Sequence, residues 1–187
     1  MPPRGGDASH ALEMARALKG LVHAVNVTDG SRAVMRMSSL AVARLLLDEG
    51  IEPVLQMACR DRNRIAIQAD LLGAHALGIR NLLCLTGDPV RAGDQPKARP
   101  VNELESVRLL QQVTAFNRGD DPVKGQLADG PTDIFAGAAA DPQCASWSGL
   151  VRRMQRKKAA GARFIQTQMV MDAAVLERFC REIAEPM

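Results

Sequence analysis

Five apolar stretches of strand length, at 23–28, 52–58, 79–86, 133–140 and 164–171, are separated by segments whose apolar residues recur at helical spacing. Those helical segments run over 8–19, 36–49, 61–78, 102–117, 143–160 and 173–184. A helix between each pair of strands provides the long crossover that parallel strands need, so the alternation predicts a parallel sheet covered by helices. "DEGIEPV", "HALGIRN" and "AAGARFI" share one punctuation: Gly50, Gly78 and Gly161 fall just past helices, where a left-handed residue turns the chain into the next strand. Ser38 or Ser39 is expected to begin the second helix and Asp61 to cap the third. Asn102 and Glu105 have the spacing of a capping box on the fourth.

Two parallel architectures fit such an alternation. A doubly wound sheet calls for a Gly-rich phosphate loop after an early strand, and neither G-x-G-x-x-G nor G-x-x-x-x-G-K-[ST] occurs. A (βα)8 barrel instead collects polar residues at the C-terminal ends of many strands. Thr28, Gln56, Thr86 with Asp88, and Gln168 all lie within or just beyond the ends of apolar runs. The expected fold class is therefore α/β of the (βα)8 TIM-barrel type, formed by residues 1–187 as a single domain.

Composition narrows the function classes. Of the 187 residues, 47% are hydrophobic and 24% charged, the profile of an ordinary globular chain. Four Phe, one Trp and no Tyr leave few platforms for base stacking, and a net charge of +3 gives little pull on a polyanion, so no nucleic-acid partner is expected. No apolar run reaches the roughly 20 residues of a membrane span, and "MPPRGGDASHALEM" lacks a signal-peptide core. The expectation is a cytoplasmic protein with no membrane partner. Cys59, Cys84, Cys144 and Cys180 form no Cys-x-x-Cys pair and read as buried free thiols.

Chemistry concentrates in three places. In "NLLCLTGDPVRAGDQP" a buried-strand pattern ends on Thr-Gly-Asp. At a barrel mouth Asp88 escapes the desolvation cost of burial, and Gly87 lets the backbone approach a ligand. A turn Asp capping its own loop is the simpler reading of the triplet alone. In "GLVRRMQRKKAAGAR", Arg152 and Arg156 share one helix face and Arg153 and Lys157 another, with no Asp or Glu from Pro142 through Met171. Such a run either holds an anion such as a pyrophosphate or is a solvated face complementing the helix dipole. In "QMACRDRNR", Arg60, Arg62 and Arg64 surround a helix start, either to bind an anion or to pair with Asp61 and Asp70. His10, His23 and His75 do not cluster with carboxylates, His75 reads as a half-buried packing residue, and no metal site is expected.

Taken together, "NVTDG", "PVLQMACRDRNR", "LGIRNLLCLTGDP" and "FIQTQMVMD" resemble the methylenetetrahydrofolate reductase family, whose members are FAD-dependent (βα)8 barrels. The N-terminal "PPRG" matches the end of that family's first-strand motif, Glu-x-x-Pro-Pro-Arg, and the motifs span essentially all of residues 1–187. The resemblance implies that Asp88 stands near the flavin N1 and the pterin, tuning the first and accepting a hydrogen bond from the second. It implies that Gln168 binds the pterin, that Thr28 and the Thr86–Gly87 turn touch the flavin, and that Gln56 and Val101 belong to the cofactor site. It places Arg156 and Lys157 on the FAD diphosphate, which turns the basic helix from a solvated face into an anion site.

Three positions depart from the family pattern. Gln56 stands where many members have His, Gly137 where some have Tyr, and Thr86 where some have Arg. By the motif spacing the family's general-acid Glu would precede Met1, and "CREIAEPM" would end the sixth helix, so the chain is expected to carry the first helix and strands two to six with their helices, an incomplete barrel without the seventh and eighth strands. The implied reaction is FAD-dependent reduction of 5,10-methylenetetrahydrofolate to 5-methyltetrahydrofolate, with hydride from NADH, NADPH or a protein electron donor. A non-catalytic flavin- or folate-binding subunit is the alternative, followed by a metal-dependent barrel lyase. A homo-oligomer or a partner subunit fits the open barrel.

Overall fold

A computed structural model describes residues 1–186 of the chain. Its strands are β1 (Val25–Val27), β2 (Pro53–Ala58), β3 (Asn81–Leu85), β4 (Phe135–Ala140) and β5 (Phe164–Thr167). Its helices are α1 (Ser9–Arg16), α2 (Ser39–Asp48), α3 (Arg64–Ala76), α4 (Ser106–Arg118), α5 (Trp147–Ala159) and α6 (Ala173–Phe179), the last continuing into a π-helical turn over Cys180–Ala184. Two short 3-10 turns, Ser31–Ala33 and Val90–Ala92, sit in the loops after β1 and β3. The strands form one parallel sheet in the order β1-β2-β3-β4-β5, with Gln56 beside Leu83 and Leu83 beside Gly137.

Sequential order distinguishes this sheet from a doubly wound one, where the order reverses at a switch point. The faces agree. Leu55, Met57 and Cys59 of β2 and its exit, Leu82 and Cys84 of β3, and Ala136, Ala138 and Ala140 of β4 join one buried cluster. Its helical side comprises Val42 and Leu46 of α2, Ile67 and Leu71 of α3, Leu109, Val113 and Phe116 of α4, and Leu150 and Met154 of α5. Each such side chain contributes about 1.5–3 kcal/mol by leaving water, so the helix layer fixes the register of every strand it covers. The alternate residues, Gln56, Ala58, Leu83, Leu85, Ala139 and Gln166, line a cavity on the other side of the sheet. A parallel sheet with helices outside and a lined hollow inside is a curled half-barrel; the described residues contain five of the eight strands of a full (βα)8 barrel.

Local chemistry sets the boundaries. Gly50, Gly78 and Gly161 have φ of 67°, 88° and 104°, the left-handed turns expected after helices. At Gly161 a Cβ would lie 2.1 Å from Thr114 Oγ1, whose hydroxyl donates to Ala160 O at 3.0 Å and so fastens α4 to the end of α5. Asn117 of α4 accepts from Ile134 N at 3.0 Å and donates to Ile134 O at 2.8 Å, aligning the entry to β4.

Several expected caps differ. Asn63, not Asp61, caps α3 by accepting from Ala66 N at 2.9 Å, because Asp61 is drawn to Arg60. Asn102 and Glu105 form no capping box: Glu105 itself is the cap of α4 and accepts from Val107 N at 3.1 Å. Ser38 occupies the cap position of α2 without a side-chain bond, while Ser39 turns inward to donate to Gln56 O at 3.1 Å. The apolar run at 164–171 is a strand only through Thr167; Met169 and Met171 beyond it are exposed.

Candidate active site

The C-terminal ends of the strands meet around a cavity of about 360 Å3. Thr28, Gln56, Thr86, Gly87, Asp88 and Gln168 all line it, brought from the ends of β1, β2, β3 and β5. Gln56 is buried on its wall. The Thr28 hydroxyl is buried with no hydrogen-bond partner, a polar group whose burial is compensated only if something else in the cavity meets it. The Thr86 hydroxyl is already committed, accepting from Ser106 N at 3.2 Å and so tying the rim to the start of α4.

Gly87 has φ of 97°, and a Cβ there would stand 2.8 Å from Arg60 Cβ and 3.3 Å from Ala58 Cβ. Backbone conformation and close approach both demand glycine. The turn delivers Asp88 to the rim, where its carboxylate accepts from Arg32 N at 2.6 Å. Arg32 and Ala33 hold φ of 58° and 55°, a left-handed pair stabilised by bonds reaching across from the loop after β3. One is the Asp88 contact; another joins Met35 N to Asp94 Oδ1 at 2.9 Å.

A second carboxylate at the rim, Asp29, is not among the residues that the motifs single out. It is nearly buried, accepts from Ala58 N at 2.8 Å and binds Arg62 Nη1 at 2.6 Å. Arg62 reaches Asp70 on α3 through Nε at 2.8 Å. Burial disfavours the Arg62 charge, and Asp29 and Asp70 outweigh it, holding the guanidinium firmly protonated. The signal was "NVTDG", in which the Asp follows directly on a strand end. The choice left open for the arginines is thereby resolved toward ion pairing: Arg60 binds Asp61 at 2.6 Å, and Arg64 lies 3.5 Å from Glu103.

Val101, Arg156 and Lys157 lie outside this cavity. Val101 donates its backbone N–H to Arg60 O at 2.8 Å, with its side chain exposed. Arg156 sits 3.9 Å from Glu105 in a shallow groove between α4 and α5. Lys157 donates to Ala139 O at 2.6 Å, one residue behind the cavity wall; burial, reinforced by Arg153, lowers its pKa. The basic helix is therefore partly partnered, since Arg153 also donates to Cys144 Sγ at 3.3 Å and Lys158 to Pro186 O at 3.1 Å.

The remaining candidates are structural. His75 is half-buried as expected, its pKa lowered by burial and by Arg80. Cys59 and Cys84 are buried, and burial pushes the Cys59 thiol up to about 12, far from thiolate chemistry. Cys144 is half-buried and Cys180 exposed, which corrects the expectation of four buried thiols: Cys144 stands in the loop before α5 and Cys180 in the turn after α6, neither on the sheet. Among the described residues no group of three or more His, Cys, Asp or Glu side chains has a metal-binding arrangement, and no helix is long and apolar enough to cross a membrane. What the cavity offers is two rim carboxylates, Asp29 and Asp88, four hydroxyls, three side-chain amides and an apolar floor. That is a set suited to orienting a flat heteroaromatic ligand by hydrogen bonds at its edge.

The chain matches the family model for methylenetetrahydrofolate reductase over residues 1–187. A relative from Caenorhabditis elegans, described as a probable methylenetetrahydrofolate reductase (NADPH), is 27% identical over 149 residues. That alignment covers 79% of this chain and 21% of the relative, so the chain spans about a fifth of the length of the curated protein it matches.

Proposed function

The chain belongs to the methylenetetrahydrofolate reductase family, and from that membership we propose that it forms the flavin- and folate-binding rim of a reductase that converts 5,10-methylenetetrahydrofolate to 5-methyltetrahydrofolate. The observation that carries this reading is the convergence of Thr28, Gln56, Thr86, Gly87, Asp88 and Gln168, far apart in sequence, on one cavity. NADPH is the proposed hydride donor, after the name of the nematode relative. FAD is the proposed cofactor.

The rim fits the isoalloxazine end of such a cofactor. The partnerless Thr28 hydroxyl supplies a buried donor and acceptor, Gly87 makes the tight turn that brings Asp88 to the rim, and Gln56 adds an amide on the wall. When bound, FAD would supply the two-electron chemistry needed to pass hydride from a nicotinamide donor to the folate methylene. Lys157 and Arg156 would serve its diphosphate, in line with the resemblance, from the helix behind the wall formed by Ala139.

The chain's own residues then divide the work. Of the two rim carboxylates, Asp29 is locked in the fork of Arg62, which leaves Asp88 to face a ligand. Its negative charge disfavours a second negative charge on a neighbouring ring and so lowers that ring's reduction potential. Its free lone pairs accept from a pterin N–H, while Gln168 across the mouth can both donate to and accept from the same ring edge. The apolar floor of Leu83 and Leu85 would exclude water from beneath a ring bound there.

Titration of the purified chain with FAD, followed by visible absorption, tests the reading. Saturable binding with a perturbed flavin spectrum is expected, with the flavin potential shifted upward in Asp88→Asn. A chain that leaves the spectrum of free FAD unchanged refutes it.

A further inference from the structure

We propose that Arg60 is the positioning residue of this site: a buried guanidinium that clamps the loops after β1 and β3 together and thereby fixes where the Asp88 carboxylate stands. The inference rests on the reading of Asp88 given above. The Arg60 side chain is only 5% exposed. Its outer edge is held by Asp61 in a two-pronged fork, Nε to Oδ1 at 2.8 Å and Nη2 to Oδ2 at 2.6 Å. Its remaining nitrogen, Nη1, donates inward to two carbonyls, Gly30 O at 3.2 Å and Asp88 O at 3.3 Å. Its own carbonyl accepts from Val101 N at 2.8 Å and Asn102 N at 3.4 Å. One residue thus reaches the loop that carries Thr28, the loop that carries Asp88 and the segment leading into α4.

The surroundings are shaped around this side chain. A Cβ at Gly30 would fall 2.6 Å from Arg60 Nη2, and one at Gly87 would fall 2.8 Å from Arg60 Cβ. Both glycines also carry positive φ, 51° and 97°. Gly30 lies two residues before Arg32, whose N–H binds the Asp88 carboxylate. Arg60 consequently holds both ends of that contact, the donor's loop through Gly30 O and the acceptor's backbone through Asp88 O. Lysine cannot replace it, because a single ammonium on a flexible stem cannot satisfy a fork on one side and two carbonyls on the other. An apolar residue would leave Asp88 O without this donor and Gly30 O with only the Ala33 N–H at 2.8 Å.

The test compares Arg60→Lys, Arg60→Met and Asp61→Asn in the full chain, with two readouts. Without any ligand, amide hydrogen exchange at Arg32 and Ala33 is expected to accelerate by roughly tenfold in Arg60→Lys, the scale of losing one charge-assisted hydrogen bond, while α2 is unaffected. Asp61→Asn, which only weakens the fork at a half-exposed partner, should lie between that variant and the unaltered chain, and it carries the test if Arg60→Met does not fold. With FAD bound, Arg60→Lys should raise the flavin potential in the direction of Asp88→Asn and add little when Asp88→Asn is already present. Exchange rates that stay unchanged, or a potential shift of equal size with and without Asp88→Asn, overturn the proposal. Failure of the unaltered chain to bind FAD would instead remove the flavin reading and leave the exchange measurement to decide the clamp.

Discussion

At the scale of single residues the interior of the sheet is most demanding at Gly137. The sequence marks it as a departure, glycine where some family members have an aromatic residue. The structure supplies a packing reason: a Cβ there would lie 2.2 Å from Cζ of Phe164, its register partner on β5. The Phe164 ring stacks on Phe135 with centroids 5.4 Å apart and planes 6° from parallel, and the Arg163 guanidinium sits 4.7 Å from the centre of the Phe135 ring. An aromatic position has in effect moved one strand over. Gly137→Ala should therefore cost about 1–3 kcal/mol, as overpacking does, because the ring cannot retreat without breaking its stack. Chemical denaturation checks it, and Phe164→Leu combined with Gly137→Ala should recover part of the loss; equal stability of Gly137→Ala and the unaltered chain would show that the ring is mobile. No reading of residue types could have found this, since it depends on which residue of β5 faces which residue of β4.

Elements were more legible than their ends. All five strands and six helices fall inside the ranges that periodicity and helix-Gly-strand punctuation indicate, give or take the terminal turn, because the helix layer selects the same apolar faces that make the pattern visible. Caps escaped because a capping residue is chosen by competition. Asp61 and Asn63 are both good N-caps, and the sequence does not say that Asp61 is claimed by the buried guanidinium beside it, leaving Asn63 to accept from Ala66 N. Asn63→Ala should cost α3 ~1 kcal/mol, and Asn63→Asp should restore it. Asp61→Ala should cost more while leaving the exchange of the first α3 amides unchanged, since its loss strands the charge on Arg60 rather than a helix end. Thermal melts of the three variants, with exchange measured at Ala66, separate the two roles.

At the scale of the whole molecule the ordering of the sheet explains both what the sequence disclosed and what it concealed. Polar residues at the ends of successive strands point to one mouth only if the strands lie side by side in chain order, and they do, so Thr28, Gln56, Asp88 and Gln168 were legible as a group. Asp29, Arg60 and Arg62 stand in the same motifs, but residue types alone do not mark them as the frame beneath that group, because their partners lie up to 33 residues away. The same ordering leaves β1 and β5 each paired on one side only among the described residues, with Phe135, Met169 and Met171 exposed nearby. β1 and β5 are short, three and four residues, but carry no lysine or proline to blunt their edges further. An exposed parallel edge beside apolar surface is a template for another strand, so residues 1–187 alone should self-associate. In sedimentation velocity the weight-average mass should climb above 20.2 kDa with concentration and fall back in mild denaturant before α3 unfolds. A mass fixed at the monomer value across the whole accessible concentration range would mean that the two edges protect themselves in solution.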